Sequence, residues 1–378
     1  MEQDLLDRPI TADAAQQRIF SRRVVTADSV VAAELVIREG HIQSIERRDE
    51  ASAYADDWGD DLLIPGLIDI HTDNLEKHYQ PRPGATWDTI GSVMAHDAQC
   101  AAAGITTVFD SLCLHGERNG LNRGEAFPIM VAAIDDAQDA GLLRSDHLLH
   151  IRCEVTNPAL LERLIPHLGN PRLRMLSLMD HRPGQRQFVN REVSAEKAAA
   201  ALEIADMCDL HRKRLAEIAR EIGVALAAHD DASGEQVLEA QGFGCTIAEF
   251  PVTQEAAQTS RNAGMAIAMG APNLVRGHSH SGNLGAGEAA SAGLLDILAS
   301  DYVPLSMLRA AFMLTQAPYN WELPEAIAVV TSGPAKAAGL TDRGGLAEGL
   351  RADMVRVSWQ TGGWPRPVSV WRLGQREA

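Results

Sequence analysis

A chain of 378 residues is too long for one small domain and long enough for a barrel with an appended part. Its formal charge of −17 argues against general nucleic-acid binding, and an anionic ligand would need a local basic pocket. Hydrophobic residues make up 46% and aromatics only 4%, so the core must be built from Ala, Leu, Ile and Val, yet no apolar run approaches the ~18 residues of a membrane span.

Residues 1–20 are acidic and polar, without the basic start or apolar core of a secretory signal, and read as a loosely docked beginning. Cys100, Cys113, Cys153, Cys208 and Cys245 form no CxxC pair; an odd, scattered set predicts reduced thiols in a cytoplasm. From Arg23 to Arg48, short Val- and Ile-rich runs joined by Ala27-Asp28-Ser29 and Glu39-Gly40-His41 read as strands and turns. The C-terminal GLAEGLRADMVRVSW and RPVSVWRLG have the same texture. The two ends therefore predict one small β-sandwich from residues 20–62 and 343–376, flanking a middle domain over 63–342.

The middle opens on LLIPGLIDIHTDNLEKHY, residues 62–79, an apolar run interrupted by Pro65-Gly66 and ending in His71-Thr72-Asp73. Strand alternation puts His71 and Asp73 on one side, a nitrogen and an oxygen donor suited to a divalent ion. A polar strand end at the surface is the plain alternative for that pair alone. Helical and extended patterns then alternate. Strands are expected at Ile105–Asp110, Leu148–Glu154, Leu173–Met179, Val224–Ala228, Cys245–Phe250, Ala266–Met269 and Leu295–Ala299. Helices are expected at Trp87–Ala103, Ala126–Leu142, Ala159–His167, Ser194–Ile222, Ser233–Gly242 and Ala256–Gly264. The pattern is α/β and predicts a parallel (β/α)₈ TIM barrel, with an open doubly wound sheet as the alternative.

Five residues recur just past strand ends: His71, Asp73, Glu154, His229 and Asp301. Each has a structural explanation alone, Glu154 beside a cap, His229 in the core, Asp301 as a cap. Together they predict a metal shell of one or two divalent ions, with Asp301 placed to take a proton from the attacking water. A second set is cationic or amide-bearing: Lys77, His78 and Arg82 after the first strand, His181, Arg182 and Arg186 after the fourth, and Asn273, Arg276, His278 and His280 in a long Gly-rich loop after the seventh. Cations clustered at one mouth of an acidic chain predict a small phosphorylated substrate. Solvated helix-start charges, or further metal ligands at His278 and His280, are the alternatives. No Walker or dinucleotide-binding glycine motif is present.

PGLIDIHTD, the flanking β ends and the late GLAEGLRADMV resemble the amidohydrolase superfamily. The strings HTDNLEKH, AHDD at 228–231, GAPNLVRGHSHSGN at 270–283 and SDYVP at 300–304 resemble its phosphonate-metabolism branch. The resemblance implies hydrolysis of a phosphonate-bearing ribose 5-triphosphate to its 5-phosphate and pyrophosphate. It also implies a metal centre on His71, Asp73, Glu154, His229 and Asp301, with zinc the first candidate and manganese or iron suiting the same shell. The fourth strand holds no lysine, so Glu154 is expected to bridge two ions, and Glu249-Phe250-Pro251 stands where the superfamily usually has a histidine. The competing readings are a cyclic-amide hydrolase or deaminase on the same scaffold, and a barrel without metal or catalysis. Self-association into a homo-oligomer stays open.

Overall fold

The Pro65-Gly66 step separates two sheets. In the computed structural model, which describes residues 16–183, 185–186, 194–279 and 282–378, Leu62–Pro65 and Leu67–Thr72 are different strands. The first is antiparallel to Met354–Ser358 and parallel to Gln17–Val25, so it belongs to a sheet made by the chain's two ends. The apolar run that the sequence presents as one interrupted strand thus changes sheets at Gly66. A Cβ there would sit 2.2 Å from Thr106 Oγ1, so only glycine allows this close approach. The Gly66 N–H donates to the Asp353 carbonyl at 2.8 Å, fastening the step to the C-terminal segment.

The terminal sheet runs Gln375–Arg376, Arg366–Arg372, Met354–Ser358, Leu62–Pro65, Gln17–Val25, Val30–Arg38 and His41–Arg47, with Asp56–Asp57 added against Gln17–Val25. Its separate core joins Ile19, Leu35 and Ile42 from the N-terminal side with Leu346, Ala352 and Met354 from the C-terminal side. The sheet is tied to the other domain by Asp146, whose carboxylate meets Arg343, Arg351 and Arg372 at 2.7, 2.5 and 2.8 Å.

The second sheet is the barrel. Its strands are Leu67–Thr72, Ile105–Cys113, Asp146–Glu154, Leu173–Met179, Ala225–His229, Ile247–Glu249, Ala266–Gly270 and Ile297–Ala299, each parallel to the next. A parallel bridge between Thr72 and Asp301 closes the ring. Inward-pointing Ile68, Ile70, Phe109, Met175, Ala227, Ile247, Ala268 and Ile297 fill it, two residues apart where one strand contributes twice. Phe109 is fully buried in that layer; cutting it to Ala would cost about 3–5 kcal/mol.

Helices cover the outside. Thr89–Ala102 starts at Asp88, whose side chain accepts the Gly91 N–H. Arg123–Asp139 begins three residues before the expected start because Asn122 caps it, accepting the Glu125 N–H. The Ala-rich stretch expected as one helix is two, Ala195–Glu203 and Ala205–Ile222, broken at Ile204; the second stops at Gly223 in the left-handed conformation. Among the described residues no helix is long and apolar enough to cross a membrane.

Candidate metal centre and anion pocket

Alternation along a strand delivers every second side chain to the barrel interior, and at the C-terminal ends those positions turn polar. His71 from the first strand and His229 ending the fifth point at Glu249, which ends the sixth. His71 Nδ1 lies 2.6 Å from Glu249 Oε1 and His229 Nδ1 lies 2.6 Å from Oε2. The imidazoles are stacked, 5.8 Å apart and 13° from parallel. Burial pushes the Glu249 carboxyl up, but the imidazoles of His71, His150 and His229 hold it well below the ordinary carboxylate range. An ionised carboxylate only accepts, so both Nδ1 atoms carry hydrogen and each Nε2 is turned to the cavity, that of His229 lying 3.4 Å from Arg152 Nη2.

Those Nε2 atoms face carboxylates. His71 Nε2 is 3.7 Å from Asp73 Oδ1, and His229 Nε2 is 3.3 Å from Asp230 Oδ2. Ligand atoms of His181, His229 and Asp230 lie within 4.8 Å of one another, as do those of His71, His229 and Glu249. Imidazole nitrogens and carboxylate oxygens converging in this way fit a divalent ion. Burial pulls the His71 pKa down, but Glu249 more than offsets it and the net direction is upward, so a proton competes with an ion for that ring.

Asp73, whose side chain is 11% exposed, sits among cations. Its Oδ1 meets Arg152 Nη1 at 2.7 Å, its Oδ2 meets Arg118 Nη1 at 2.8 Å, and Arg123 Nη2 lies 3.9 Å away. Burial works against its charge, but Arg152, His71, Arg123 and Arg118 hold its carboxyl well below the usual range. Glu154 looks elsewhere: Oε2 meets His181 Nδ1 at 2.5 Å and Oε1 accepts from Thr156 at 2.8 Å. It therefore stands behind His181, orienting that ring.

The turns that aim these groups are unusual. Asp230, Phe250 and Asp301, each just past a barrel strand, have φ of 60°, 58° and 55°. A bulky side chain in the left-handed region signals strain that the surroundings must hold. Phe250 is held edge-on against His71 and His229, at 4.9 and 5.6 Å between centroids.

A cavity of about 490 Å³ opens above the histidines, lined by His71, Asp73, His229, Asp230 and Asp301 below and by Lys77, Arg118, Arg152, Asn273 and Arg276 around it. Lys77 Nζ donates to the Tyr302 carbonyl at 2.6 Å, and Arg276 Nη1 donates to the Tyr302 hydroxyl at 3.3 Å. A second cavity, about 650 Å³, holds His115, Arg123, Glu154 and His181; Asp73, Arg118 and Arg152 line both.

The structure turns four expected substrate contacts away from these cavities. His78 bonds Gln99 and Asn74 at 3.2 and 3.3 Å. Arg82 is exposed in the loop beyond Tyr79. Arg182 clasps Asp180, at 2.9 Å from Nε and 2.7 Å from Nη2. Arg186 is buried against Asp231. His278 is exposed, next to the lining residue Ser279, and His280 lies outside the described residues. Sequence reasoning missed Arg118, Arg123, Arg152, Asp230 and the role of Glu249. Arg152 carried a signal, being two residues before Glu154 and hence on its side of the strand.

The profile of the Amidohydrolase family matches residues 98–358. The chain is 40% identical over 371 residues to the alpha-D-ribose 1-methylphosphonate 5-triphosphate diphosphatase of Escherichia coli (strain K12), covering 94% of this chain and 98% of the relative. Among solved structures, a D-hydantoinase superposes with a TM-score of 0.65 at 16% identity, over 96% of this chain and 95% of the other. The N-acetyl-D-glucosamine-6-phosphate deacetylase of Mycobacterium smegmatis gives 0.64 at 18% identity, over 95% and 99%. The two structural likenesses speak for the fold alone; with the profile match and the close relative, they leave one assignment: the chain belongs to the amidohydrolase family.

Proposed function

We propose that the protein is a divalent-metal-dependent hydrolase that cleaves α-D-ribose 1-methylphosphonate 5-triphosphate to the 5-phosphate and pyrophosphate, in phosphonate breakdown. The observation that carries this reading is one mouth in which His71, His229 and Asp301 lie beneath Lys77, Arg118, Arg152 and Arg276, in a chain whose net charge is −17. A neutral ring amide needs no such array, whereas a triphosphate does. The Escherichia coli relative bears this activity in its name.

His71 and His229 would hold the ion through Nε2, with Asp301 and Asp230 as oxygen donors around them. A divalent ion at that place supplies Lewis acidity and lowers the pKa of a bound water. The donor set favours zinc, with manganese or iron suited to the same atoms. Asp301 accepts the proton of the attacking water at its carboxylate. Lys77 and Arg276, both fastened to Tyr302, neutralise the phosphate chain and the departing pyrophosphate. Arg118 and Arg152 face the same space from the opposite side, balanced by Asp73 until substrate arrives. All five cysteines are free and buried, in keeping with a cytoplasmic setting.

The test is release of pyrophosphate from the ribose triphosphate by protein purified without chelator, with nucleoside triphosphates, hydantoin and dihydroorotate alongside. Turnover of a ring amide without pyrophosphate release would replace this reading by the cyclic-amide one.

A further inference from the structure

We infer, resting on the reaction proposed above, that the second cavity seats the methylphosphonate end of the substrate, held by Arg118 and Arg123, while the triphosphate lies in the first. The two cavities stand side by side, with Asp73, Arg118 and Arg152 lining both. Lys77 and Arg276 line the first and not the second, so a triphosphate reaching toward them leaves its ribose end on the side of the second. Arg118 stands at the boundary on a tight hairpin, Glu117–Arg118 against Leu121–Asn122. Its two turn residues, Asn119 and Gly120, have φ of 53° and 81°, the positive pair that two-residue hairpin turns favour. Buried Leu121 pins the hairpin to the larger hydrophobic core, which fixes where Arg118 stands.

The local charges leave room for an anion. Arg152 and Arg118 share Asp73 at 2.7 and 2.8 Å, while Arg118 lies 3.5 Å and Arg123 2.7 Å from Glu76. Three permanent cations thus face two carboxylates, one positive charge more than pairing requires. Donors are left over too. Arg118 makes these contacts through Nη1, and Arg123 through Nε and Nη2. Among the described residues, Arg118 Nε and Nη2 and Arg123 Nη1 therefore have no protein partner. A methylphosphonate ester carries one negative charge spread over two oxygens, and one methyl group. The remaining N–H groups suit the oxygens. Cys113 and Met179, both buried in the wall of this cavity, offer the methyl an apolar contact. Glu154 lines the same cavity, and its carboxylate has lone pairs beyond those given to His181 and Thr156 for the ribose hydroxyls in between.

The test compares ribose 1-methylphosphonate 5-triphosphate with ribose 5-triphosphate bearing a plain 1-hydroxyl, read as pyrophosphate released by protein purified without chelator. The wild type should favour the methylphosphonate by about 10- to 100-fold in kcat/KM, the usual worth of one charge-assisted contact. Arg123→Gln should bring that ratio close to one, mainly through KM. Arg276→Ala, acting on the end common to both substrates, should slow both alike and keep the ratio. A wild type that takes both equally would overturn the inference and leave the diphosphatase reading standing, as would a folded Arg123→Gln that keeps the preference. No pyrophosphate from either substrate would remove both. Arg123→Gln takes from Glu76 its nearest cation, so a melting curve accompanies the assay. Should that variant not fold, Arg118→Gln, on a side chain 37% exposed, decides by the same ratio.

Discussion

Asp301 and His71 are joined backbone to backbone: the Asp301 N–H donates to the His71 carbonyl at 3.0 Å, and the Asp73 N–H donates to the Asp301 carbonyl at 2.6 Å. The same pairing that closes the barrel fixes the distance between the proposed metal-binding imidazole and the proposed proton acceptor. It holds Asp301 at a φ of 55°, a conformation that Asn and Asp tolerate better than other side chains with a Cβ.

Asp301→Asn should therefore keep the fold and lose the base. We expect kcat to fall by about 10²–10⁴-fold, the usual worth of general acid–base catalysis, with the melting temperature nearly unchanged. A variant that melts many degrees lower would show that the charge serves closure and not chemistry.

Glu249→Gln tests the positioning of the two histidines. A glutamine carbonyl accepts one Nδ1–H, and its NH₂ cannot accept the other, so one ring is released. Loss of such an outer hydrogen bond typically costs 10–100-fold in metal affinity, and that is the expected weakening. A dissociation constant measured by competition with a chromophoric chelator reads it directly. Unchanged affinity would mean that packing against Phe250 suffices to aim the rings.

How much of this was legible in the sequence differs by residue, for physical reasons. His71, His229 and Asp301 follow from apolar strands that end in polar side chains, a local pattern. The share of Leu62–Pro65 in the terminal sheet was not legible, because a buried strand looks alike whichever partners it pairs with. Glu249 read only as the absence of a histidine; its meaning depends on partners 178 and 20 residues away in sequence. Arg186 sits in a polar stretch that suggests a free cation, and only the position of Asp231 beneath it shows otherwise.

Arg276 separates anion binding from metal binding. It is exposed at the rim, and its Nη1 donates to the Tyr302 hydroxyl. Removing one charge-assisted contact is worth roughly 1.5–3 kcal/mol, so Arg276→Ala should lower kcat/KM by about one to two orders of magnitude. Metal content should stay at the wild-type value. Loss of the ion with the arginine would place this helix end in the metal shell instead.

Stability should carry a pH signature from a buried cluster outside the barrel, behind the second strand. His147 Nδ1 lies 2.8 Å from Asp110 Oδ2, its Nε2 lies 3.4 Å from Asp97 Oδ1, and His96 Nε2 lies 2.9 Å from Asp110 Oδ1. Burial pulls the His147 imidazole down, but Asp110 and Asp97 outweigh it and push its pKa up to about 9, from an ordinary 6.5. The folded state thus holds a proton that the unfolded chain gives up near pH 6.5. The stabilisation is fully present below that pH and is lost as pH rises through about 9. The shift corresponds to about 3 kcal/mol. With the usual entropy of unfolding per residue, the melting temperature should drop by about 4 °C between pH 6.5 and 9. His147→Gln should start lower at pH 6.5 and run nearly flat across the same range. An equal slope in wild type and variant would assign the pH dependence to other groups.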